Sequence, residues 1–162
     1  MSAILKERNA LNYTGSELTC VFIGHKETYS IKTEELQHLI RTAIEQGVTL
    51  FLNGGMGHFD YLCAHEVAEL KKEYPQIRSE LVIPYLTFQP QTMEYFDSSI
   101  YPDGFEKYHF KAAIPKRNRW MVDRSQIAIC YVTHGWGGAA QTMKYAIKKN
   151  LQIINIGNYT PD

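Results

Sequence analysis

The chain has 162 residues, 44% apolar and 21% charged, and its 17 basic and 17 acidic side chains cancel. That length predicts one domain, which buries roughly 70% of the surface exposed by its unfolded chain, and the composition excludes disorder as the main state. A nucleic-acid partner is not expected either, because such proteins usually carry a basic excess.

The longest apolar run, Ile127 to Val132, is far short of the about 20 residues a membrane span needs. Lys6, Glu7 and Arg8 interrupt any signal-peptide core. A cytoplasmic, non-membrane protein is the expectation. Cys20, Cys63 and Cys130 sit among apolar neighbours and form no CxxC pair, which reads as buried free thiols in a reducing compartment.

Leu18 to Ile23 is a short run of β-formers bounded by Gly24, a buried strand. Thr33 suits a helix N-cap, with Glu34 and Glu35 in the first turn. Leu36, Leu39, Ile40, Ala43 and Ile44 recur on one helical face, and Gly47 is the stop. Val48 to Leu52 is a second strand. A helix from about Phe59 to Tyr74 packs through Cys63, Ala64, Val67 and Ala68 and cannot continue past Pro75. Leu81 to Ile83 anchor a third strand. Residues 85–114 form an irregular excursion, rich in aromatics and broken by Pro90 and Pro102. It reads either as a lid or as an aromatic-packed connection. A short helix is expected to open at Pro115, a good first helical residue. Gln126 to Val132 is a fourth strand, Ala139 to Lys149 a helix, and Leu151 to Ile156 the last strand.

This alternation predicts an α/β fold: one Rossmann-like three-layer domain over residues 1–162, with an N-terminal extension at 1–17. Its parallel sheet of about five strands has order 3-2-1-4-5 and helices on both faces. The switch point falls between the first and fourth strands, and ligands of such sheets bind beyond the carboxyl ends of strands there.

Three loops collect at that edge: Gly24-His25-Lys26, Gly54 to Asp60, and His134 to Gly138. Two are glycine-rich and run into helices. Glycine lets a phosphate approach backbone amides, and the helix that follows offers unpaired N–H groups and a positive dipole end. The candidate ligand-binding residues are Gly24, His25, Gly54, Gly55, Gly57, Asp60, Arg117, Asn118, His134, Gly135, Gly137 and Gly138. Neither GxGxxG nor a P-loop lysine is present, which disfavours ordinary dinucleotide oxidoreductases and ATPases.

His25, His58 and His134 all follow strands on this edge. No metal site is expected, because their spacing matches no ligand pattern; each is a candidate for hydrogen bonding or acid–base work. Residues 105–124 carry Lys107, Lys111, Lys116, Arg117, Arg119 and Arg124 against Glu106 and Asp123, and arginine's fork suits phosphate. Trp136 lies between glycines and reads either as a base-stacking ring or as core.

The segments CVFIGHKE at 20–27, NGGMGHFD at 53–60, KRNRWMVDRS at 116–125 and HGWGGAAQTMKYA at 134–146 resemble the YpsA-like family of the SLOG superfamily. The resemblance spans about Leu18 to Ile156. That superfamily also holds the LOG enzymes, the DNA-processing DprA proteins and nucleotide-sensing domains. The resemblance implies a Rossmann-like sheet that binds a nucleotide or nucleotide-derived ligand, and it supports Arg117 and Asn118 as site residues; it implies no further cofactor. LOG enzymes carry PGGxGTxxE, whose Glu assists cleavage of a ribose–base bond. Aligned on Gly137 and Gly138, that Glu falls on Lys144, which favours binding or sensing over catalysis. An N-glycosidic hydrolase using Asp60 is the alternative, although Asp60 suits N-capping equally. DprA-like single-stranded DNA binding is a weaker third reading, and a homo-oligomer stays open.

Overall fold

Among the described residues, six short strands lie side by side in one parallel sheet: β1 (Leu18–Gly24), β2 (Val48–Asn53), β3 (Arg78–Val82), β4 (Ser98–Ile100), β5 (Ile127–Tyr131) and β6 (Gln152–Asn155), in the order β4-β3-β2-β1-β5-β6. The computed structural model describes residues 18–28 and 30–162; the expected extension at 1–17 lies outside the described residues. The five expected strands keep their order, and β4 is an addition at the edge beside β3. Its Ser-Ser-Ile sequence has no pattern of its own. It is a strand because Asp97 anchors it: the Asp97 N–H donates to the Ser79 carbonyl at 2.8 Å, and the Asp97 carboxylate accepts from the Ser79 N–H at 2.8 Å and pairs with Lys71. The excursion is thus partly built into the sheet.

Alternation along β1 sorts the core into two layers. Cys20 and Phe22 face one side and join Leu36, Ile40, Phe59, Cys63 and Val67 of α1 (Thr33–Glu45) and α2 (His58–Lys71). Val21 and Ile23 face the other and join Met121, Val122, Ala140 and Met143 of α3 (Phe110–Asp123) and α4 (Gly138–Lys148). A strand buried on both faces needs apolar residues at successive positions, hence the unbroken LTCVFI.

Two helix starts differ from expectation. Thr33 is the first helical residue of α1 rather than its cap; Lys32 holds the cap position, and no side chain bonds there. Pro115 does not open a helix. It lies inside α3, which starts at Phe110 after His109, whose Nδ1 accepts from the Lys111 N–H at 3.3 Å. Proline in the second turn removes only the bond to the Lys111 carbonyl, and Lys111 is exposed, so water can satisfy that oxygen. Among the described residues no helix is long and apolar enough to cross a membrane.

Candidate functional site

The carboxyl end of β1, which lies between β2 and β5 in the sheet, opens onto a cavity of about 250 Å³ beside the predicted switch point. Gly24, His25 and Lys26 form one wall; Gly54, Met56 and Asp60 a second; Ile114, Arg117, Asn118 and Met121 of α3 a third; and Gly138, Ala139 and Thr142 of α4 the fourth. Of the candidate residues, Gly24, His25, Gly54, Asp60, Arg117, Asn118 and Gly138 border this space. Gly55 and Gly57 turn away, with His58, to line a shallower groove against Tyr61, Tyr85 and Phe88 of the excursion side.

The two glycine-rich loops are not equivalent. In the loop after β2, Asn53 is fully buried; its Oδ1 accepts from the Gly55 N–H at 2.8 Å, and its Nδ2 donates to the Asp60 carbonyl at 2.7 Å. Asp60 Oδ2 accepts from the Met56 N–H at 3.0 Å, and the His58 N–H at the start of α2 donates to the Lys26 carbonyl at 2.9 Å. These amides are already engaged within the protein. Asp60 therefore braces the loop instead of capping α2, whose N-cap is Gly57. In the loop after β5, Gly137 adopts φ +91, a backbone that side chains rarely take, and it caps α4 with no side-chain bond. A Cβ at Gly137 or Gly138 would meet nothing within 4 Å. The first N–H groups of a helix lack intrahelical partners, and here they border open space beside the cavity.

Arg117 is 2% exposed. Its Nη1 donates to the Gly54 carbonyl at 3.1 Å and the Val82 carbonyl at 2.7 Å, and its Nε donates to Asn118 Oδ1 at 2.9 Å. It ties the ends of β2 and β3 to α3. Burial lowers its pKa to about 10, opposed by the Asp60 charge, so it stays protonated at neutral pH. Burial also lifts the Asp60 carboxyl to about 6, against the lowering effects of the Met56 N–H and the Arg117 charge.

The three expected histidines separate. His25 and His134 stack on each other, whereas His58 bonds Thr28 through Nδ1 in the neighbouring groove. Among the described residues no three His, Cys, Asp or Glu side chains group as metal ligands would. Burial, with the His134 charge beside it, lowers the His25 pKa. Lys144, at the position aligned with the LOG glutamate, does not border the cavity; its Nζ donates to the Gly135 carbonyl at 3.2 Å.

Sequence reading missed Asn53, Met56 and Thr142 as wall and brace residues. It also missed Asn155, whose amide bonds the Val132 N–H and C=O, the Gly157 N–H and the Tyr159 carbonyl, all at 2.9 Å. Asn155 thereby fixes the point where the β5 loop departs. The legible signal was an Asn at the carboxyl end of each of two apolar strands, β2 and β6.

The chain matches the YspA SLOG family over residues 11–156. It belongs to that family. No curated protein matches it. Among solved structures, DNA processing protein A from Helicobacter pylori superposes with a TM-score of 0.61 at 17% identity, covering 85% of this chain and 64% of that one. DNA processing protein A from Streptococcus pneumoniae gives 0.64 at 15% identity, with 90% and 52% covered. At such identities the likeness is one of fold, and this chain spans less than two thirds of either protein. The Helicobacter pylori protein is described for its single-stranded DNA binding mode. That corrects the expectation, drawn from balanced charge, against a nucleic-acid partner: a protein that shares this fold over part of its length binds single-stranded DNA, and net charge reports the whole surface rather than one edge.

Proposed function

We propose that this protein binds a nucleotide-type ligand at the carboxyl edge of its sheet, with a phosphate against the N-terminus of α4. The observation that carries this reading is the pairing of an uncapped helix start at Gly137-Gly138-Ala139 with the cavity it borders. A helix N-terminus favours an anion through its free N–H groups and its dipole. Gly138 leaves room for phosphate oxygens to reach the amides. Asn118 engages Arg117 through Oδ1, which leaves its NH₂ as the amide's donor end, and Lys26 adds a positive charge to the cavity lining.

The test is a thermal-shift panel of nucleoside mono- and diphosphates, ribose 5-phosphate and short single-stranded oligonucleotides. A ligand at 100 times its Kd stabilises by about 2.7 kcal/mol. Stabilisation by a phosphate-bearing ligand that disappears in Gly138→Val supports the reading. No stabilisation by any member, or one indifferent to Gly138→Val, refutes it.

A second reading, hydrolysis of a nucleotide N-glycosidic bond, is favoured by one observation: Asp60 borders the cavity with its carboxyl near 6. Such a group exchanges protons close to neutral pH and suits acid–base work on a leaving base. Release of free base from AMP that is lost in Asp60→Asn would establish it.

A further inference from the structure

A ladder of stacked rings leads from the cavity to the protein surface. His25, in the cavity wall, stacks on His134 with centroids 3.9 Å apart and 16° between planes. His134 stacks on Trp136 at 3.7 Å and 18°. The inner rung is fixed twice: the Thr133 N–H donates to His25 Nε2 at 3.0 Å, and the Tyr131 ring meets His25 nearly edge-on at 84°. Between the two outer rungs Gly135 runs under Tyr159, where an added Cβ would lie 2.9 Å from the Tyr159 Cζ. A side chain there would have to displace the hydroxyl end of Tyr159.

The outer rung is Trp136, 69% exposed. One face of its indole lies on His134, and among the described residues no second ring covers it. A large apolar ring is normally drawn inward; this one is held out in water by a rigid stack. His134 Nδ1 meanwhile lies buried without a hydrogen-bond partner, a cost that the ladder imposes. The indole directly precedes Gly137 and the open start of α4. A planar aromatic group and an anionic group thus find receptors on adjoining residues.

We propose that Trp136 is a stacking platform for a nucleobase, the fourth ring of the ladder. The inference rests on the reading above, in which the ligand's phosphate lies at the N-terminus of α4. Every base has a π-face, so the platform takes the base of a free mononucleotide or of an unpaired strand alike, and the experiment separates these sources. Loss of the ring should weaken binding roughly ten- to hundredfold, equivalent to about 1.4–2.8 kcal/mol, the range measured for base–aromatic stacking.

Trp120 and Trp136 are the two tryptophans, so Trp120→Phe leaves Trp136 as the sole indole reporter. Its emission is followed during titration with AMP, with ribose 5-phosphate and with a short single-stranded oligonucleotide, and calorimetric Kd values are compared for wild type, Trp136→Ala and Trp136→Phe. The expected result is quenching by AMP and a ten- to hundredfold weaker Kd for AMP in Trp136→Ala. Ribose 5-phosphate affinity stays unchanged, and Trp136→Phe recovers most of the loss. The same pattern with the oligonucleotide alone also supports the platform and names a strand as the source. Equal AMP and oligonucleotide affinity in Trp136→Ala overturns the proposal. So does an equal loss for ribose 5-phosphate, which would make Trp136 a prop for the helix start. Wild type that binds ribose 5-phosphate, but no base-bearing ligand more tightly, removes the platform and spares the phosphate reading. If nothing binds, both fall.

Discussion

Removing Arg117 is the sharpest test of how this edge is built. The side chain is 2% exposed, and its donors reach two backbone carbonyls from different strand ends and one side-chain amide. In Arg117→Ala the Gly54 and Val82 carbonyls lose this donor, at about 1–3 kcal/mol for each buried group left unsatisfied. The Asp60 charge also loses a nearby cation that holds its pKa down. The working figure is that of the two carbonyls, about 2–6 kcal/mol, or a fall in Tm of roughly 4–24 °C for a domain this size. Arg117→Lys keeps the charge but cannot span three acceptors with one ammonium, so it should recover about half. Arg119→Ala is the control: its guanidinium lies over the Tyr145 ring at 5.0 Å, worth about 0.5 kcal/mol on an exposed face. Urea unfolding followed by circular dichroism gives all three values. A loss below about 1 kcal/mol in Arg117→Ala would refute the brace and return this arginine to the role of a free phosphate ligand.

Two further outcomes follow from the same walls. Gly138→Val should unfold within about 1 kcal/mol of wild type while ligand binding is lost, because an added Cβ there meets nothing; Gly55→Val should instead lose about 2 kcal/mol or more, since Gly55 has φ +59 and its Cβ would lie 2.6 Å from Leu81 Cδ1. Equal stability losses in the two variants would show that their loops do not differ as described. Burial lifts Asp60 from 3.8 to about 6, so folding takes up a proton in that window; the stabilising contribution is full below pH 3.8 and is lost as pH rises through about 6. At about 1.4 kcal/mol per pH unit, that gap amounts to about 3 kcal/mol. Wild type should lose about that much stability relative to Asp60→Asn between pH 4 and pH 7.5 in urea titrations, and a constant difference would contradict the burial of an ionised Asp60.

The sheet was legible because burial on both faces writes itself into the sequence as apolar runs, and LTCVFI and IAICYV have no other economical reading. Strand order followed from the rarity of left-handed crossovers and from the long excursion. β4 was not legible, because three residues carry no period and its pairing is dictated by Asp97 reaching Ser79 across 18 positions. Pro115 misled for a related reason: proline reads as a helix start, and the cap that sets the real start is a histidine nitrogen at His109. Arg117 was visible as a basic residue near the edge. Its burial was not, since what decides it is the pair of strand-end carbonyls that meet only in the folded chain.

The two glycine loops show where reading glycines alone stops working. Both follow a buried strand and enter a helix, yet only the loop after β5 leaves its helix start uncapped and open. The difference lies in the flanking residues. Asn53 precedes the first loop and Asp60 follows it within one helical turn, and both have short side chains with oxygens that can fold back onto nearby amides; they do so at Gly55 and Met56. The second loop is flanked by His134 and Trp136, whose rings stack on each other and offer the backbone no oxygen. No side chain caps the helix start that follows it. On this argument an Asx residue on each side of a glycine-rich turn marks a self-satisfied brace, and a turn without one marks the anion seat. Exchanging the roles is a direct check. Trp136→Asp would place a carboxylate one residue before the Gly137 cap, where its charge faces the positive end of the helix; it should raise stability by about 0.3–1 kcal/mol while repelling a phosphate. A variant that binds ribose 5-phosphate, which has no base to stack on the lost ring, as tightly as wild type would show that the anion does not sit at this helix.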